Sequence, residues 1–188
     1  MRKVGVSQKC SARVIRAPRN RGQGMKLAIG GRFDWKIIRD GSIYRAGFFH
    51  NDVTDEGLNH ILDSTFGNST QITVWYIGFI RDDNFSELAN ADTMSSHAGW
   101  EEGDEYSEAT RREWVDDAAG GGIKTNSVAA EFSINATETM KGLFISSLAT
   151  KNGTTGILWA TGLFSEGDQS VNNGDTLAVT YTLTVARA

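Results

Sequence analysis

A mainly β chain, an antiparallel β-sandwich with one short helix and an extended basic N-terminal arm, is the architecture this sequence predicts. Three observations carry it. Several short runs are rich in β-branched and aromatic residues or alternate with period two. The runs are punctuated by Gly, Asn and Asp, with 21 glycines beside a single proline. Charge is divided along the chain: residues 1–26 carry eight Lys or Arg and no acid, and the remainder carries 11 cations against 23 carboxylates. A cationic stretch with few apolar residues buries too little surface to offset its ordering entropy, so 1–26 reads as an arm that waits for a partner. Residues 27–188 read as one sandwich domain, with 39 % hydrophobic content in the chain to build its core.

The elements follow in order. Arg32–Ile38 and Ser42–Phe49 flank Arg39-Asp40-Gly41, a tight-turn sequence, and predict a β-hairpin. Thr54 is placed to cap a helix, with Asp55 and Glu56 favourable against its dipole and Leu58, Ile61, Leu62 and Phe66 forming one apolar face over about three turns. Gln71–Ile80 is almost continuously apolar, which predicts a central strand covered on both faces. Residues 81–111 form a long loop with little periodicity, and Phe85, Trp100 and Tyr106 argue that it is structured. Beyond the glycine triplet 120–122, the stretches 128–134, 139–146, 156–163 and 176–185 read as strands separated by turn clusters such as Asn172-Asn173-Gly174-Asp175. In the last strand Leu177, Val179, Tyr181, Leu183 and Val185 share a face opposite four threonines.

The chemistry-bearing residues concentrate in the long loop: Asp92, Ser95, Ser96, His97, Glu101, Glu102, Asp104 and Glu105. A triad is defined in space, and no nucleophile-elbow pattern G-x-S-x-G occurs, so these read as a hydrogen-bonded loop and not as an active site. His50, His60 and His97 are far apart and Cys10 is alone, which gives no paired metal-ligand spacing and no intrachain disulfide. Asp82-Asp83-Asn84 resembles part of a calcium loop without its downstream ligands. No phosphate-cradling loop occurs, and no cofactor is expected. The stretch Val4–Ile15 is interrupted by Ser, Gln, Lys and Arg, so it has no signal-peptide core, and no run reaches the roughly 20 apolar residues of a membrane span. The arm does not read as a nucleic-acid binder, because the acidic body repels polyanions and no aromatic residues interleave with the cations; a protein surface of negative potential suits it better. Trp35, Trp75 and Trp159 lie in apolar runs and are expected in the core. Trp100 and Tyr106 are the pair available for a sugar-stacking platform.

Three segments together, Asn51–Asn59 (NDVTDEGLN), Thr73–Gly78 (TVWYIG) and Ala91–Trp100 (ADTMSSHAGW), resemble a family of tailed-bacteriophage virion-associated structural proteins. The pattern continues through Tyr106–Arg111, Lys141–Phe144 and Gly174–Leu177, so the resemblance covers roughly residues 40–185. It implies a non-enzymatic virion protein, and with the arm it points to a capsid decoration (cement) protein assembled in the host cytoplasm. The expected partners are the major capsid protein and sister subunits in a homo-oligomer such as a trimer, with no nucleic acid and no membrane. Arg2, Lys3, Lys9, Arg13, Arg16, Arg19 and Arg21 are then the anchoring contacts, and His97, Trp100 and Tyr106 meet a sister subunit or the capsid. The alternatives are a neck, tail or fibre-adaptor component, a glycan-binding module for host adsorption, and a wall-degrading enzyme that would depend on His97 or Glu101.

Overall fold

A computed structural model describes residues 26–187. The predicted arm contacts Arg2, Lys3, Lys9, Arg13, Arg16, Arg19 and Arg21 lie outside the described residues. The chain is mainly β, and the predicted hairpin is present, longer than its sequence signal: β1 (Leu27–Arg39) and β2 (Ser42–Val53) meet at a turn where Asp40 and Gly41 have φ of 50° and 74°. Both values lie in the left-handed region that a two-residue hairpin turn requires. Phe33, Trp35 and Ile37 alternate inward along β1. The single helix α1 (Asp55–Phe66) starts where the sequence places it, with the Thr54 hydroxyl accepting from the Gly57 N–H at 3.0 Å.

Nine further strands follow: β3 (Tyr76–Arg81), β4 (Glu102–Gly103), β5 (Arg112–Glu113), β6 (Ile123–Thr125), β7 (Ala130–Ser133), β8 (Glu138–Ser146), β9 (Leu158–Leu163), β10 (Gln169–Val171) and β11 (Thr176–Arg187). They form one antiparallel sheet in the order β4-β3-β8-β9-β2-β1-β11-β6, with β5 on β3, β7 on β11 and β10 on β8. The hinge is β2, which pairs with β1 as far as Asn51 and then gives Asp52 and Val53 to β9. This handover folds the sheet over into the two layers of a sandwich. Phe33, Phe49, Phe79, Phe132, Leu143 and Tyr181 are among the side chains that fill the space between the layers.

Three expectations change in the structure. The strand expected over 71–80 begins only at Tyr76; Trp75 instead packs against Trp159, ring centroids 5.9 Å apart, and is only partly buried. The strands expected at 128–134 and 156–163 shorten to β7 and β9. The third change concerns α1: Ile61 packs on the core, but Leu58, Leu62 and Phe66 point outward, Phe66 being 82 % exposed. The cause is Gly57, the one buried helix residue. A Cβ there would lie 2.5 Å from the Trp159 carbonyl oxygen, so only glycine lets the helix approach β9 along that side. Glu56 fixes the same rotation by accepting from the Leu158 N–H at 2.6 Å. Beneath the helix remains a cavity of about 230 Å³ lined by His60, Ile61, Trp75, Trp114, Trp159 and Tyr181.

Candidate interaction surface

The long loop is a built plug. The outer face of β3, β8 and β9 carries Ile80, Phe144 and Leu158, and the loop covers them with Met94 and Trp100 while Phe85 and Leu88 pack alongside. This is the second cover that an apolar strand such as β3 demands. Trp100 is 2 % exposed; its indole N–H donates to Asp92 Oδ2 at 3.0 Å and its ring stacks on His97 at 4.0 Å. His97 Nδ1 is 3.0 Å from the Trp100 carbonyl oxygen, and Ser95 Oγ is 3.1 Å from Thr93 Oγ1. The histidine therefore holds its own loop. Tyr106, 1 % exposed, packs between Phe79 and Phe132, and burial pushes its phenol well above the usual range. Lys151 Nζ lies 3.5 Å from the Tyr106 ring centroid and donates to its carbonyl oxygen at 2.6 Å.

Trp100 and Tyr106 thus form no platform and offer no contact surface, a correction to the reading of the loop as an exposed partner site. An indole and a phenol in a polar stretch are taken up by the nearest uncovered apolar surface, here the back of the sheet and the sandwich core. His97 remains half-buried as the lid of Trp100.

The loop's C-terminal end is pinned by a buried ion pair. Arg111 Nε and Nη2 donate to Glu102 Oε1 and Oε2 at 2.8 and 2.6 Å, with the two side chains 1 % and 3 % exposed. Arg111 also donates to Ser146 Oγ and to the carbonyl oxygens of Leu148 and Gly153. The Asn152 N–H donates to Glu102 at 2.7 Å. Every strong group has a partner, which is the condition under which a buried pair can be carried. Of the calcium-like triplet, Asp82 pairs with Lys141 at 2.8 Å and Asn84 donates to Glu101 at 2.9 Å. Among the described residues no cluster of His, Cys, Asp or Glu is arranged to hold a metal.

The surface best built for contact is on the hairpin. Ile43, Tyr44 and Phe48 on β2 are 61 %, 51 % and 47 % exposed. Around them stand arginines: the Arg39 guanidinium lies 4.0 Å from the Tyr44 ring centroid and the Arg32 guanidinium 4.1 Å from that of Phe48. Aromatic and arginine side chains are the types enriched at protein interfaces, and stacking restrains these rings in the free chain. Arg39 is itself held by Asp175, through bonds of 2.8 and 2.7 Å to a carboxylate that is 2 % exposed. Asp175 closes the predicted turn by accepting from the Asn172 N–H at 2.8 Å. Arg45 reaches across to Gln169 at 3.2 Å. The β10–β11 turn thereby fixes a guanidinium, the guanidinium fixes a ring, and less conformational entropy is lost when that ring is covered.

This anchor has a pH signature. The hydrogen bond from Arg39 holds the Asp175 carboxyl below its ordinary value of 3.8. A carboxyl whose folded pKa is depressed contributes stability that is complete above its unfolded value and is lost as pH falls through the folded one. Asp175→Asn should therefore flatten the acid limb below about pH 4. Urea midpoints at pH 7 and pH 3 measure it, and an unchanged difference between the two would refute the role of Asp175.

Sequence reasoning missed Tyr44 and Phe48, reading them as ordinary strand residues. The two aromatic residues four apart on one strand, with Arg45 next to Tyr44 and Arg39 across the turn, were the available signal. No protein-family model matches the chain, and no curated protein matches it.

Proposed function

We infer that this protein is a non-enzymatic structural component of a tailed-phage particle, most simply a head decoration protein that binds the outer capsid and neighbouring copies of itself. The observation that carries this reading is the pre-organised hairpin face of Tyr44, Phe48 and Ile43 among Arg32 and Arg39, an exposed aromatic–arginine surface of the kind proteins use to bind proteins. The sequence resemblance over residues 40–185 and the separation of a cationic N-terminal segment from an acidic body support it. The body supplies a compact contact, and the basic segment adds a second, electrostatically complementary one, so that two modest contacts act together.

The test is the number of copies per purified particle, by quantitative mass spectrometry against the major capsid protein. Hundreds of copies in simple proportion to the capsid subunit are expected. Five to a dozen copies would move the protein to the neck or tail, and absence from the particle would overturn the virion reading.

A further inference from the structure

The outward stripe of α1, Leu58, Leu62 and Phe66 at 40 %, 56 % and 82 % exposure, is an apolar feature separate from the hairpin face. Three residues spaced four apart form one continuous strip along the whole helix. The helix sequence DEGLNHILDSTF contains three acids and no Lys or Arg, and Asp55 and Asp63 flank the strip without an ion-pair partner among the described residues. A second copy of the same helix would bring these carboxylates against their like, which disfavours α1 pairing with itself. The complementary chemistry is a cationic segment with apolar side chains between its charges. The chain contains one outside the described residues, at Arg13-Val14-Ile15-Arg16 within the +8 stretch.

Length permits the contact. An α-helix of 12 residues is about 18 Å long, which five or six extended residues cover. Ten residues separate Arg16 from β1, a tether of up to roughly 30 Å. Among the described residues nothing covers this strip, and the homo-oligomeric reading places another copy within reach of it. We propose that the outward face of α1 is the docking surface for the basic N-terminal segment, residues 1–25, of a neighbouring copy. One of the adjacent apolar side chains Val14 and Ile15 lies on the Leu58–Phe66 strip, and the arginines on either side meet Asp55 and Asp63. Each copy supplies one segment and one helix face, so the contact closes as a reciprocal exchange between two copies or as a ring, or continues along a lattice of copies. The proposal rests on the homo-oligomeric reading above and names the surface involved.

Cys10, the only cysteine, makes the test direct in the full chain. Unlabelled protein carrying a nitroxide on Cys10 is mixed with ¹⁵N-labelled Cys10→Ser protein, and amide signal loss is read by NMR. Loss across Leu58–Gly67 is expected, together with its disappearance when Leu62→Lys and Asp63→Lys are combined in the ¹⁵N chain. No loss at α1, or loss centred on Tyr44 and Phe48 instead, would overturn the proposal. So would loss seen only when nitroxide and ¹⁵N occupy the same chain diluted in unlabelled protein. Copy number on the particle is read independently, so hundreds of copies without docking at α1 would remove this proposal and leave the virion reading standing.

Discussion

Arg111→Met is expected to cost about 3–5 kcal/mol of folding stability, the range for removing one partner of a buried pair. The reason is what it leaves behind: Glu102, 3 % exposed, keeps only the Asn152 N–H among the donors that now hold it, Ser146 Oγ and the Gly153 carbonyl oxygen lose the guanidinium, and the Leu148 carbonyl oxygen keeps only the Ser146 hydroxyl. The five hydrogen bonds from Arg111 match the five N–H groups of a guanidinium fork. Arg111→Lys should therefore fail too, since an ammonium has three donors and no planar fork. Against a total stability of about 5–15 kcal/mol, the loss is large enough to free the 82–111 loop from the β8–β9 connection. Urea unfolding measures it; a loss under about 1 kcal/mol would mean that the network does not hold the loop.

Under the proposed decoration role, replacing Tyr44 and Phe48 together by Ala is expected to weaken binding to the particle at least tenfold while leaving the body folded. Interface anchors of this kind are worth about 2 kcal/mol or more each on truncation, and 1.4 kcal/mol is a factor of ten. Both rings are about half exposed in the free chain, so their removal should change the urea midpoint little. Occupancy of stripped particles titrated with the variant is the measurement. Unchanged occupancy with an unchanged fold would transfer the contact from the hairpin to another surface.

The two variants separate the roles of the two regions that carry most of the unusual side chains. The 82–111 loop has the residues that attract an enzymologist, yet its His97, Asp92 and Trp100 satisfy one another, and its Arg111–Glu102 pair is closed by backbone. The hairpin has plain strand residues, yet its rings stand in solvent under guanidinium groups that are held from below. Chemical variety in the loop serves cohesion, and the rings on the hairpin stay exposed for the proposed contact.

Where a residue's state depends on its immediate neighbours, the sequence alone determined the outcome. The Asp40-Gly41 turn, the Thr54 cap and the alternation of Leu177, Val179 and Tyr181 are local: a left-handed φ, an orphan N–H and a two-residue period are satisfied within a few residues. Even the need for a cover over β3 was legible, because a strand apolar on both faces requires two. Tertiary structure alone decided what supplies that cover, and so buried Trp100 and Tyr106. It also decided which side of α1 faces inward, since periodicity shows that a helix has an apolar face but not that Gly57 must lie against the Trp159 carbonyl. The Arg111 network had no signal at all, its Ser146, Leu148 and Gly153 partners lying 35 to 42 residues away. Such partners are chosen by strand pairing, by β2 passing from β1 to β9 and folding one sheet into two layers, and no short window of sequence contains that event.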